Sequence, residues 1–262
     1  MIGAIIGDIV GSRFEWHNIK SKEFRLFTDR CKPTDDSVMT LAVAQAILNS
    51  GGDLAALERE AVSCMQPLGR RYPRAGYGGR FRGWLATEDP QPYNSFGNGS
   101  AMRVSPCGFA AKTLEEAIAM ADAVTRVTHN HPEGMKGAEA TAAAIFLARS
   151  GASMQEIRAY IEQNYYKLDF TLDEIRPTYT FDVSCQGSVP QALEAFFEST
   201  DFEDAIRNAI SIGGDSDTIA AITGGISEAF YGVPQELRDR AITFLDFTQR
   251  GILREFEEKY TQ

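Results

Sequence analysis

Residues 2–11 read Ile2-Gly3-Ala4-Ile5-Ile6-Gly7-Asp8-Ile9-Val10-Gly11. Ile2, Ile5, Ile6, Ile9 and Val10 fall at helical spacing, so the segment predicts a helix. Gly3, Gly7 and Gly11 recur every fourth residue and share one face of it. Glycine inside a helix costs about 1 kcal/mol relative to alanine. Three on one face need a packing reason, and a smooth strip for close approach of a second helix supplies it.

The same reading extends along the chain. Residues 36–49 carry Val38, Leu41, Ala42, Gln45 and Leu48 on one side and stop at Asn49-Ser50-Gly51-Gly52, a helix C-terminal signal. Asp53 caps a helix over 54–65. Thr113-x-x-Glu116 and Ser153-x-x-Glu156 are capping-box sequences opening helices near 114–126 and 154–164. Residues 136–149 are alanine-rich and nearly uncharged between Glu139 and Arg149, which marks a central buried helix. Further helices are expected near 189–199, 202–212, 217–231, 235–247 and 250–259. Residues 66–108 differ: Gly, Pro, Arg and aromatics dominate and periodicity is lost. That segment reads as a long, functional loop region with room for a hairpin within 66–95. The expected fold is all-α, a single orthogonal helical domain over residues 1–262.

Composition sets the outer bounds. With 44% hydrophobic and 24% charged residues, the chain is globular. Thirty-six acids against 26 bases give a net charge of −10, which disfavours nonspecific nucleic-acid binding. No window approaches 18 uncharged apolar residues, so no membrane span is expected. The first residues lack the basic start of a signal peptide. Cys31, Cys64, Cys107 and Cys185 form no C-x-x-C, which argues against a zinc finger or redox pair. Scattered cysteines suit a reducing compartment, and a cytoplasmic location is expected.

Two acidic clusters stand out. Thr34-Asp35-Asp36-Ser37 sits where a loop enters a helix, and Gly213-Gly214-Asp215-Ser216-Asp217-Thr218 repeats the arrangement far along the chain. Helix capping uses one such side chain. Adjacent acids with a threonine exceed that need and suit a hard cation, which prefers carboxylate and hydroxyl oxygens. If the clusters meet, their like charges cannot all stay ionised without a cation, and D-x-D on an extended turn would point both carboxylates one way. Glu15, after Gly7-Asp8-Ile9-Val10-Gly11-Ser12-Arg13-Phe14, is expected at a helix end facing a cleft.

Together these segments resemble the ADP-ribosylglycohydrolase family, in order and over nearly the whole chain. Gly7-Asp8-x-x-Gly11-x-x-x-Glu15 looks like its N-terminal motif, and Thr34-Asp35-Asp36-Ser37 like its first metal motif. Ser95-Phe96-Gly97-Asn98-Gly99-Ser100-Ala101-Met102-Arg103 is similar to its G-N-G-x-x-M-R segment. Thr128-His129-Asn130-His131-Pro132 resembles its histidine loop, and Gly213 to Thr218 its second metal motif. The resemblance implies an all-helical fold with two magnesium or manganese ions in a central cleft. It places Thr34, Asp35, Asp36, Asp215, Asp217 and Thr218 on the metal ligands. It places Glu15 near the reacting ribose or the metal, and Phe96 on adenine. Ser95, Gly97, Asn98 and Gly99 fall around the diphosphate, and one of His129 and His131 on a ribose contact. A glycine loop suits phosphate because no Cβ blocks the approaching N–H groups.

The implied activity is metal-dependent hydrolysis of the bond between ADP-ribose and a mono-ADP-ribosylated acceptor, most readily an arginine on a protein partner. Glu15 and Asp36 are the candidates for positioning or deprotonating water. A metal-dependent phosphohydrolase is the second enzymatic reading. A non-catalytic ADP-ribose-binding or structural relative is the third. Arg70, Arg71, Arg74, Arg80 and Arg82 cluster in the irregular region and meet either a diphosphate, an acidic acceptor or solvent.

Overall fold

Helix α1 (Ile2–Gly11) is buried at every position. Its glycine face lies against α12 (Ser216–Tyr231) at a distance only glycine permits. A β-carbon on Gly7 would stand 1.9 Å from the Ala220 carbonyl oxygen, and one on Gly3 2.3 Å from that of Gly224. On Gly11 it would lie 2.5 Å from the Asp217 Cα. The expected smooth strip is therefore a backbone-to-backbone seam. Glu228, on the last turn of α12, closes its far end by accepting from the Gly3 N–H at 2.7 Å.

The computed structural model describes residues 1–260, and the fold among them is all-α. α2 (Asp35–Ser50) packs on α1 and carries α3 (Leu54–Arg71), on which α4 (Gly79–Ala86) lies. α5 (Ser105–Ala110) joins α2 to α7 (Pro132–Arg149), α6 (Leu114–Arg126) joins α3 to α7, and α8 (Met154–Asn164) packs on α7. After α9 (Leu172–Ile175), α10 (Cys185–Phe197) and α11 (Phe202–Ser211) pack against α12, and α13 (Gln235–Ile242) and α14 (Phe247–Tyr260) complete the chain. α7 is the alanine-rich central helix, buried from Gly137 through Ile145 except at Glu139.

The irregular region departs from expectation. It holds no hairpin: the described residues form no strand, only an isolated bridge between Gly97 and Ser184. Instead α3 continues to Arg71 through Pro67, because Ala61, Met65, Gln66 and Gly69 keep one buried face. α4 then folds back on it, burying Phe81, Trp84 and Leu85. Their i, i+3, i+4 spacing is helical, but the surrounding Gly and Arg obscure it. Gln66 fastens the two helices by donating to the Trp84 and Thr87 carbonyls at 3.0 and 2.8 Å. The Ser153–Glu156 capping box forms fully. At Thr113 only half forms: Thr113 accepts from the Glu116 N–H, while the Glu116 carboxylate takes the Lys112 N–H at 2.6 Å. The short α9, opened by a Thr171–Glu174 box, has no counterpart in the expected helices.

The seam predicts a sharp contrast between two glycine substitutions. Gly7→Ala forces apart two buried backbones and should lose about 3 kcal/mol or fail to fold. Gly83→Ala, in α4 with nothing within 4 Å of the added carbon, should gain about 0.5–1 kcal/mol. Urea unfolding of both checks this; a stable Gly7→Ala protein would contradict the seam.

Candidate active site

The site is assembled at the N-termini of α2 and α12, where α1 brings them together. Thr34 is the N-cap of α2 and accepts from the Asp36 N–H at 3.3 Å. Its hydroxyl donates to Asp8 Oδ1 at 2.7 Å. Asp8 Oδ2 accepts from the Thr34 and Ser37 N–H groups at 2.9 and 3.0 Å, and closely from the Ser37 hydroxyl. A buried acid on α1 thus caps α2 across the core, which was not read from its place in an apolar helix. On the other side, Gly213 and Gly214 turn with φ of 71° and 77°, leading into Asp215 and Asp217 at the start of α12. D-x-D accordingly opens a helix and is not an extended turn. Asn18 holds this turn, accepting from the Gly214 N–H and donating to the Gly214 carbonyl, both at 2.8 Å.

The two clusters meet. Carboxylate oxygens of Asp8, Asp36 and Asp217 lie within 4.8 Å of one another, and so do those of Glu15, Asp215 and Asp217. Asp217 belongs to both sets. Thr218 donates to Asp36 Oδ2 at 3.3 Å. Asp35 joins neither set but lines the same cleft beside Gly76, where an added β-carbon would stand 2.8 Å from its Oδ1.

No ion pair within 4.0 Å among the described residues neutralises these acids. Burial raises all of them. Asp36 is held well above the carboxylate range by burial and then by Asp8 and Asp35, and Asp217 by burial, Asp36 and Asp215. Glu15 is raised to about 7 by burial and Asp215, and Asp35 to about 7 by burial and Asp8. Asp36 Oδ1 is buried without a hydrogen-bond partner. An all-oxygen donor set, crowded like charges and one orphaned carboxylate oxygen fit a hard divalent cation. Asp8 Oδ2 is already saturated, so Asp8 serves as the support behind the set.

The acids line a cleft of about 410 Å³. Ser95, Gly97, Asn98, Gly99 and His129 line it too, as do Arg80 and Arg103. Asn98 uses its amide within the protein, donating to Asp215 Oδ2 at 2.7 Å and Ser188 Oγ at 3.1 Å. Its N–H donates to Val183 at 2.7 Å. It therefore ties the glycine loop to the acids. Phe96 is not in the lining; it is 47% exposed and stands 5.3 Å from the His131 ring. His131 is the N-cap of α7, its Nδ1 accepting from the Glu133 N–H at 3.1 Å, and only His129 of the pair reaches the cleft. At the mouth, the rings of Trp16 and Phe181 stack with centroids 5.0 Å apart.

The sequence model of the ADP-ribosylglycohydrolase family matches residues 1–259. The chain belongs to that family. The ADP-ribosylarginine hydrolase Tri1 of Pseudomonas putida is 28% identical, over 89% of this chain and 70% of its own. The human ADP-ribosylhydrolase ARH3 is 25% identical, over 90% and 85%. A solved structure, an ADP-ribosylglycohydrolase-related protein complex, superposes with a TM-score of 0.70 at 22% identity, over 98% of this chain and 95% of that one. Tri1 and ARH3 are hydrolases by name, and the fold matches that of the solved structure.

Without a cation, the raised acids make the folded state hold more protons than the unfolded chain at weakly acidic pH. That stability is present at low pH and lost as pH rises through about 7, where Glu15 and Asp35 ionise. Thermal unfolding with chelator should show the melting temperature falling over this window. Added magnesium should raise it most at the alkaline end. A chelated protein that becomes more stable as pH rises would contradict the uncompensated cluster.

Proposed function

We propose that this chain, acting as one domain over residues 1–262, is a divalent-cation-dependent hydrolase. It releases ADP-ribose from a mono-ADP-ribosylated acceptor by cleaving the bond at the proximal ribose. The observation that carries the reading is one cleft lined both by carboxylates sharing Asp217 and by a glycine loop with Arg80. A substrate with an anionic diphosphate beside a ribose that develops positive charge suits that combination. The proposed acceptor is an arginine side chain of a protein, on the strength of the Pseudomonas putida relative's name. The cytoplasm is the proposed location, in keeping with four free cysteines.

Thr34, Asp35, Asp36, Asp215, Asp217 and Thr218 are proposed to hold two magnesium or manganese ions. Bound divalent cations supply charge neutralisation and an electrophilic hold on oxygen ligands. Glycosidic cleavage builds oxocarbenium character at the anomeric carbon, and carboxylates lining the cleft would stabilise that charge. The bond to the acceptor nitrogen breaks, a water oxygen adds to the anomeric carbon, and one water proton leaves with the acceptor. Glu15 lines the cleft beside Asp215 and Asp217, which suits it to accept the water's proton. Asp36 is the second candidate. Ser95, Gly97, Gly99 and His129 are proposed to hold the diphosphate and ribose, with Asn98 fixing the loop. Phe96 is proposed to meet the adenine from outside the cleft lining, and His129, not the α7 N-cap His131, is the proposed ribose contact.

The test is release of ADP-ribose from arginine-, serine- and nucleobase-linked acceptors with magnesium, manganese or chelator. Chelator-sensitive release from the arginine-linked acceptor is expected. Glu15→Gln should lower kcat by about 10²–10³ with ADP-ribose affinity retained. Asp217→Asn should abolish both activity and cation binding without unfolding the chain. Release of phosphate or nucleotide instead would make the protein a phosphohydrolase. Binding of ADP-ribose with no turnover of any acceptor would make it a binding relative.

A further inference from the structure

We infer that Arg103 and Thr128 are positioning residues that hold His129 as a neutral imidazole with its proton on Nε2, a hydrogen-bond donor into the cleft. Arg103 is 1% exposed and has no acid within ion-pair distance among the described residues. Its Nη2 donates to the Val124 carbonyl at 3.1 Å and to Thr128 Oγ1 at 2.7 Å. A buried guanidinium hydrogen-bonded to neutral oxygens, with the Phe81 ring 5.9 Å away, is costly, so its placement calls for a reason.

Thr128 supplies one. Its hydroxyl has a single proton and two acceptors in range: His129 Nδ1 at 2.7 Å and the Thr125 carbonyl at 3.4 Å. The shorter contact takes the proton. Accepting from a guanidinium polarises the hydroxyl, which strengthens it as a donor and weakens it as a second acceptor. Nδ1 therefore accepts, and the proton of the neutral ring must sit on Nε2. Nε2 faces the glycine loop: β-carbons on Gly99 and Gly97 would come within 3.5 and 3.7 Å of it. The groups facing the ring are Arg103 and Arg80, both cationic, and Tyr93, whose ring centroid is 6.0 Å away. Burial, then these two cations, hold His129 well below the usual histidine range. A third positive charge does not form there.

The consequence rests on the function proposed above. An Nε2–H donor suits an anionic phosphate oxygen or a ribose hydroxyl, whereas a bare Nε2 lone pair repels the anion. The chain of bonds thus sets which face His129 shows to the substrate, and keeps it the same across neutral pH.

Imidazole nitrogen NMR on the full-length, uniformly labelled protein tests this directly. The chain has only three histidines, and His129→Gln identifies the signals of interest. The expected spectrum shows His129 as the Nε2–H tautomer with no titration between about pH 5.5 and 8. Thr128→Val should lose that fixed tautomer and weaken ADP-ribose binding about tenfold, while Thr128→Ser should restore both to within about twofold. An Nδ1–H or doubly protonated His129 in the unaltered protein overturns the inference, whatever the variants do. So does a tautomer unchanged in a folded Thr128→Val protein. A fixed Nε2–H tautomer in a protein that binds no ADP-ribose would uphold the device and remove the proposed substrate.

Discussion

The carbonyl oxygens of Ala220 and Gly224 lie where side chains on Gly7 and Gly3 would have to stand. This contact fixes both the distance and the register of α1 against α12. One turn further along the seam, Gly11 meets the Cα of Asp217. Register at the seam is therefore register at the site: Asp8 leaves α1 toward the start of α2, and Asp217 enters from α12 beside Asp36. Three helices converge their termini because two backbones touch.

The convergence is energetically one-sided until charge is supplied. Helix N-termini favour negative charge modestly, by about 0.3–1 kcal/mol each. Like charges within a few ångströms in a buried setting cost more than that. Thr34, Thr218 and Asn98 offset part of it by donating into the cluster, at Asp8, Asp36 and Asp215 respectively. Asp217 has no such side-chain donor from a neighbouring helix, and it sits in both acid sets.

The legible and illegible parts of the sequence separate along physical lines. The glycine stripe announced a close helix contact because its cost in an isolated helix demanded compensation. The acid pairs pointed to a cluster suited to a cation because they exceeded what capping requires. That they meet is a tertiary fact, carried by the α1–α12 seam and not by either motif. Asp8 was visible as a charge in an apolar helix, but its role in capping α2 depends on a neighbour twenty-six residues away. α4 hid behind glycines and arginines that blur its Phe81, Trp84 and Leu85 spacing. The His129 and His131 pair was readable in part. Proline at the first helical position marks the residue before it as an N-cap, and Pro132 follows His131.

The stacked pair at the cleft mouth has an optical consequence. The chain has only two tryptophans. Trp84 is buried between α3 and α4, while Trp16 is 72% exposed beside Glu15. One indole reports on the interior and the other on the entrance. Emission from the unaltered protein therefore carries two separable signals, a red-shifted component sensitive to whatever enters the cleft and a blue-shifted one that changes only when the helices part.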